Sequence, residues 1–330
     1  MKITLNELEE LTAQAVRNYG YNEEETKIIG EVLLYAQLRG NNQGVVKLIG
    51  KGIPKNPEAG EISVEKETPI SARINGGRNH AMLVVHKALN MVIDKAQRSG
   101  FGIAGTFNTN TSSGAIGYFA SRLAQRGLIG FVFARSPERV AVHGSCEPVF
   151  GTNPLAIGIP ARPDPIVLDM STAAMSFYGL VEADTAGREI PPDVAWDAQG
   201  RSTTSPRQAI QGALRSFDRG FKGSGLGLIG EVLAGPLVGA AFCGLSDSKS
   251  NWGHLLFAID PELLGDREEF LQNVTRLVQK VKQTRKLPGV AELRVPGERG
   301  MAVSRQHLAG GEIDIEDNLL AQLRAVAMEA

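Results

Sequence analysis

The residues able to do chemistry fall in a few short blocks. Asn41-Asn42-Gln43-Gly44, with Lys47 just beyond, comes straight off the last turn of a helical pattern. A helix terminus presents side chains and free backbone groups together, which suits the wall of a small-molecule site. The amides of Asn42 and Gln43 can orient a carbonyl or an imine but do not titrate near neutrality, and Lys47 brings charge without arginine's planar fork. The block His143 to Pro154 is dense in backbone-shaping residues and polar hooks; Thr152 and Asn153 are read as shaping a substrate pocket. Asp169-Met170-Ser171-Thr172-Ala173 leaves a strand and offers hydroxyls and N–H groups at its end. Lys222, after Phe221, can meet a phosphate as a point charge. In Gly297-Glu298-Arg299 the glycine permits close approach and Arg299 offers a fork of donors. Asp197 reads equally as the start of an Asp-Ala-Gln-Gly turn and as an acid working through water.

The elements that must carry these blocks are visible in the periodicity. Thr4 with Glu7 and Asn22 with Glu25 predict capping boxes for helices over about 5–18 and from 23 to about 39. Helices follow over about 81–99 and up to Gly127, then near 225–241, 267–285 and 316–328. Strands are predicted over 101–107, 128–134, 155–159, 166–169, 254–259 and 291–295. Several are joined by connections too short for helical crossovers, which favours antiparallel pairing. Gly225-Leu226-Gly227-Leu228-Ile229-Gly230 matches G-x-G-x-x-G, but charged, bulky residues precede it and the motif lies inside an apolar helical pattern. It is read as close helix packing and not as a dinucleotide turn.

A chain of 330 residues can bury a large core in one or two domains. Its net charge of −1 argues against a general nucleic-acid or membrane-surface binder. No apolar run approaches the ~20 residues of a membrane span. Two cysteines and no ligand-spaced cluster imply neither a disulfide framework nor a metal site. A cytoplasmic protein is expected. The basic run Lys280 to Lys286 reads as a solvated helix face. His80, His86, His254 and His307 read as structural, and His143 as the one candidate for an acid.

Taken in order, these blocks resemble the malate/L-lactate/ureidoglycolate dehydrogenase family, nicotinamide-dependent oxidoreductases that do not use the Rossmann fold. The resemblance implies an α/β fold with a mixed, largely antiparallel cofactor-binding sheet and helical N- and C-terminal parts. It implies a substrate and dimerisation domain of residues 1–120 with 300–330, and a dinucleotide-binding domain of residues 121–299. A homodimer, NADPH or NADH as cofactor and a small carboxylate substrate follow from it. Ser136, Asp169 to Ala173, Phe221, Lys222 and Gly297 to Arg299 match positions that hold the cofactor. Arg135, beside Ser136, is read as an exposed arginine, with contact to a 2′-phosphate as the alternative.

The family's Arg-Gly-x-x-Ser-His-Gly-x-x-Arg stretch supplies its acid/base histidine and a carboxylate clamp. Here, with one residue deleted, Asn42 stands for the serine, Gln43 for the histidine and Lys47 for the second arginine. A second family histidine has only the hydroxyls of 108–114 in its place. Asp197 matches, one position short, an aspartate that can pair with the acid/base histidine. The implied reaction is hydride transfer to C=N or C=O beside a carboxylate. An imine is slightly favoured, because a protonated iminium already carries its proton. The alternatives are ordinary 2-oxo/2-hydroxy acid oxidoreduction with Lys47, Asp197 or water as donor, and dinucleotide binding without turnover.

Overall fold

The computed structural model describes residues 1–245 and 251–328. Its centre is a seven-stranded sheet in the order Ser63–Glu67, Ser71–Asn75, Phe101–Thr109, Trp252–Ile259, Ile129–Ala134, Leu155–Ile159, Ile166–Met170. Only Ser71–Asn75 and Phe101–Thr109 run parallel, and the helix Ala81–Ser99 makes the crossover between them. Every other neighbour pair is antiparallel. The expected mixed, mostly antiparallel sheet is thus the observed one. It draws strands from both parts of the two-domain division expected from the sequence.

Strand alternation divides the core. Leu256 and Ala258 face the main core, where Ala81–Ser99 and Gly117–Gln125 pack, while Leu255 and Phe257 face a smaller cluster around Val238. Phe257 stacks on Phe131 at 4.6 Å on that second face. The helices Leu5–Asn18, Glu23–Leu38 and Asp317–Met328 extend the main core. Lys2–Thr4 pairs with Glu312–Asp314, which ties the two chain ends together. A separate four-stranded sheet orders Ala195–Trp196, Ala213–Leu214, Val140–Ala141 and Pro148–Phe150 over its own core of Leu180, Ile190, Val194 and Leu214.

Local expectations are met only in part. Asn22 and Glu25 close a full capping box, but Thr4 accepts from the Glu7 N–H at 3.1 Å while the Glu7 carboxylate reaches Arg324 instead. The glycine-rich helix spans Phe221–Ala234, and its Gly227 and Gly230 are buried, as close packing requires. Residues 291–295 do not form a strand: the contact with the edge strand Ile166–Met170 falls just beyond them, where Val167 N donates to Pro296 O at 3.2 Å. Beyond it an unforeseen helix, Glu298–Gly310, begins. No helix of the described residues is long and apolar enough to cross a membrane.

Candidate active site

Lys47 sits on a short 3-10 turn, Val45–Leu48, after the helix Glu23–Leu38. The turn is docked on that helix: Val45 donates to Gln37 Oε1 at 3.1 Å, and any side chain at Gly44 would collide with the same oxygen. The docking drives Lys47 inward until it is 3% exposed. Its Nζ donates to Ser112 Oγ at 3.2 Å and lies 3.7 Å from the centre of the Tyr178 ring. Among the described residues no carboxylate pairs with it. Desolvation therefore goes uncompensated and lowers the Lys47 pKa to about 7.

Around Lys47 lies a cavity of about 860 Å³ lined by Asn42, Gln43, His80, Thr111, Arg139 and Tyr178, among others. Asn42 donates to Ser176 Oγ at 3.0 Å, and Ser176 caps the helix Phe177–Thr185 that carries Tyr178. Gln43 is aligned by its own turn, donating to Asn42 Oδ1 at 3.3 Å through its side chain and to Asn41 Oδ1 at 2.9 Å through its backbone. His80 caps the helix Ala81–Ser99 by accepting from Met82 N at 3.2 Å. Burial, aided by the Lys47 charge, pushes the His80 ring down to about 3, so it is neutral at working pH. Arg139 lies half-buried over the Phe177 ring at 4.3 Å and makes no ion pair among the described residues; burial lowers its pKa.

A second cavity, about 870 Å³, shares Asn41, Asn42 and Asp169 with the first. The two form one cleft. Its second end carries Arg39, Arg294 and Arg299 beside Gly297. Gly297 caps the helix Glu298–Gly310 at φ 91°, with no side chain satisfying the first-turn N–H groups. That φ, with Val167 O and N about 3 Å from any added Cβ, demands glycine there. Asp169 accepts from the Gly117 N–H at 2.8 Å, and the residue is exposed on the cleft side. Protein packed around it raises its pKa to about 6, against the Gly117 hydrogen bond. Cations, free helix N–H groups and an extended cleft form a donor set that fits a dinucleotide pyrophosphate.

The cleft gathers Asn42, Gln43, Lys47, Ser136, Thr152, Asp169, Met170, Ser171, Gly297 and Arg299. Other expected residues stand outside it, some of them supporting its wall from behind. Thr172 donates to Thr152 O through its N–H at 3.0 Å and its hydroxyl at 3.1 Å, and Ala173 bridges to Ser216. Asn153 is buried and donates to Glu231 at 2.7 Å. Glu298 holds Val295 N and pairs with Lys282 at 2.5 Å. Phe221 and Lys222 open the glycine-rich helix outside both cavities, with Phe221 70% exposed and edge-on to His143.

Three expectations need correcting. His143 is exposed and lines a different, smaller cavity with Cys146 and Trp196, so it does not face Lys47. Asp197 starts a turn: Oδ1 accepts from the N–H groups of Gln199 and Arg201, each at 2.9 Å, and Oδ2 takes the Arg201 guanidinium at 2.8 Å. The Arg201 backbone bond leads in holding its carboxyl below the usual range, the opposite of an acid. Arg135 is fully buried, bound to Glu231 and Glu138, and cannot turn out to a 2′-phosphate. The sequence reading also missed Arg139 and Tyr178 and set His80 aside as structural. Only the position of His80 just before a helix signalled anything, namely a cap.

A family model described as malate/L-lactate dehydrogenase matches residues 3–324. An L-sulfolactate dehydrogenase of Methanothermobacter thermautotrophicus is 32% identical, covering 100% of this chain and 97% of that one. A malate/(S)-sulfolactate dehydrogenase of Methanothermus fervidus is 34% identical, covering 100% and 98%. A Delta(1)-pyrroline-2-carboxylate/Delta(1)-piperideine-2-carboxylate reductase of Pseudomonas putida is 28% identical, covering 94% and 96%. Among solved structures, a malate dehydrogenase of Entamoeba histolytica superposes with a TM-score of 0.90 at 22% identity over 99% of this chain and 97% of that one, a likeness of fold.

Proposed function

This chain belongs to the malate/L-lactate dehydrogenase family, and on that premise we propose that it interconverts a 2-oxo acid and its 2-hydroxy acid with NAD(P) as partner, the acid bearing a second anionic group. The imine preference drawn from the sequence alone is set aside. It rested on the want of a proton donor, and Lys47 supplies one. The relatives at 32% and 34% identity are named for hydroxy acids, while the imino-acid reductase is more distant.

Lys47 carries the reading. An amine brought to about pKa 7 by burial is half protonated near neutrality, where a general acid/base works best. A nicotinamide held along the cleft would supply or accept the hydride at C2 of the acid. Lys47 gives its proton to the C2 oxygen during reduction and takes it back during oxidation. Asn42 and Gln43 orient the substrate from the same wall. Malate and sulfolactate each carry a second acid group, and two cations of this cavity, the half-buried Arg139 and the exposed Lys51, suit two anions. Ser136, Asp169, Met170, Ser171, Gly297 and Arg299 are the residues proposed to hold the dinucleotide.

The test follows NADH and NADPH oxidation with oxaloacetate, sulfopyruvate, pyruvate and Δ1-piperideine-2-carboxylate. The dianionic 2-oxo acids should have the highest kcat/KM. Preference for the cyclic imino acid would return the chemistry to the imine reading, and binding of dinucleotide without any turnover would leave a binding protein.

A further inference from the structure

Among the described residues, two buried polar atoms on the wall of the Lys47 cavity have no hydrogen-bond partner: Nε2 of His80 and Oγ1 of Thr111. We propose that the His80 Nε2–H, seconded by the Thr111 hydroxyl, is the donor pair that receives the substrate oxygen on which charge develops, making His80 a catalytic residue.

Four observations carry this. The tautomer follows from the cap: Nδ1 accepts from Met82 N at 3.2 Å, so the proton of the neutral ring sits on Nε2. The ring is fixed, 4% exposed and edge-on to Tyr21 with centroids 6.1 Å apart. The backbone ties the two donors together, because Ala81 N donates to Asn110 O at 3.0 Å and Asn110 N to Asn79 O at 2.8 Å. Thr111 is held at φ 64°, a left-handed conformation that costs a β-branched residue free energy and clusters at functional sites. A buried donor without an acceptor is costly in an apoprotein and becomes useful when an oxyanion arrives.

The division of labour is then clear. As C2 takes hydride, its oxygen becomes an alkoxide; His80 and Thr111 hold that oxygen while the Lys47 ammonium protonates it. His80, neutral throughout, donates a hydrogen bond and transfers no proton. This inference rests on the cavity being the 2-oxo acid site.

The experiment separates holding from capping. His80→Asn keeps an oxygen at the cap position, where asparagine is among the best residues, but removes the Nε2–H donor. Thr111→Val keeps shape and strain and removes only the hydroxyl. With oxaloacetate, His80→Asn should lower kcat by ~10²–10³, with the thermal midpoint and the pH midpoint of kcat both retained. The two substitutions together should cost less than the sum of each alone. Nitrogen NMR of the wild-type ring should show Nε2 protonated from pH 5 to 9, with the Nε2–H proton shifting downfield when oxamate and NADH are added. A wild-type kcat in folded His80→Asn would overturn the proposal, as would an unprotonated Nε2 or a loss of the pH limb. If wild type reduces no 2-oxo acid, the functional reading fails, and the oxamate shift still reports on His80 by itself.

Discussion

Arg135 and Lys47 are both buried cations in the wall of one cleft, and their surroundings could hardly differ more. Arg135 donates through Nε to Glu231 at 3.1 Å and through Nη2 to Glu138 at 2.6 Å. Glu231 in turn takes Asn153 at 2.7 Å and the Cys243 N–H at 2.9 Å. That network joins the helix Phe221–Ala234 to the ends of two strands, and each charge in it has an opposite at hydrogen-bond distance. Lys47 has one hydroxyl and one ring face. The partners decide the use to which a buried cation is put. Carboxylates pin Arg135 as a strut, and a guanidinium does not release its proton. Without one, burial lowers the Lys47 pKa to about 7, which is what the proposed proton transfer draws on.

The largest effect expected from this contrast is catalytic. Lys47→Met keeps the volume and removes the proton, so kcat for 2-oxo acid reduction should fall ~10²–10⁴-fold. In wild type that rate should fall as pH rises through the Lys47 midpoint, while hydroxy-acid oxidation rises through it. The midpoint should lie near 7 in the free enzyme and higher once an anionic substrate stands beside the amine. Initial rates in both directions across pH check this, and a flat profile would exclude Lys47 as the donor.

Arg135→Met should act oppositely, on stability. It strands Glu231 in the interior, and breaking a buried pair in this way costs ~3–5 kcal/mol, read from denaturant midpoints. If unfolding were unchanged, the strut would be no strut.

Arg139→Ala sharpens the comparison at the substrate. Loss of a charged hydrogen bond of about 1.5–3 kcal/mol should raise KM for oxaloacetate roughly ten- to hundredfold, with a smaller change for pyruvate. Equal effects on both substrates would move Arg139 away from the distal anion.

The smallest effect is a slope. Folding lowers the Lys47 pKa, so unfolding takes up a proton between about 7 and the unfolded value of ~10.4. Stability should rise with pH across that window, and the rise should weaken in Lys47→Met. His80 and His254, pushed down to about 3, add their own rise below neutrality, outside it. Identical curves for the two proteins would show that the amine is wetter than its packing implies.

What could be read from the chain was its short-range physics. The Asn22–Glu25 box, the rejection of the glycine motif and the Gly297 turn all depend on residues a few positions apart, and all appear as expected. So does the antiparallel sheet, because short connections leave little choice. The helix Glu298–Gly310 was invisible because Ser304 is its one buried residue, which leaves no apolar stripe to detect. Residues 291–295 before it alternate like a strand, but among the described residues no ladder forms and only the neighbouring Pro296 bonds the sheet edge.

The site divides in the same way. The blocks that line it stood out as dense runs of polar and backbone-shaping residues. Their chemistry did not, because a pKa depends on which atoms from distant segments surround a group. Ser112 and Tyr178 reach Lys47 from beyond the strand Phe101–Thr109 and from the helix Phe177–Thr185. Asp197, an acid by composition, is consumed by its own turn. His80, a cap by position, keeps an unpartnered Nε2 because none of the described residues brings an acceptor to it. Residue type and spacing supply the groups; desolvation and partners, which sum over the whole packed chain, set their charge and reactivity.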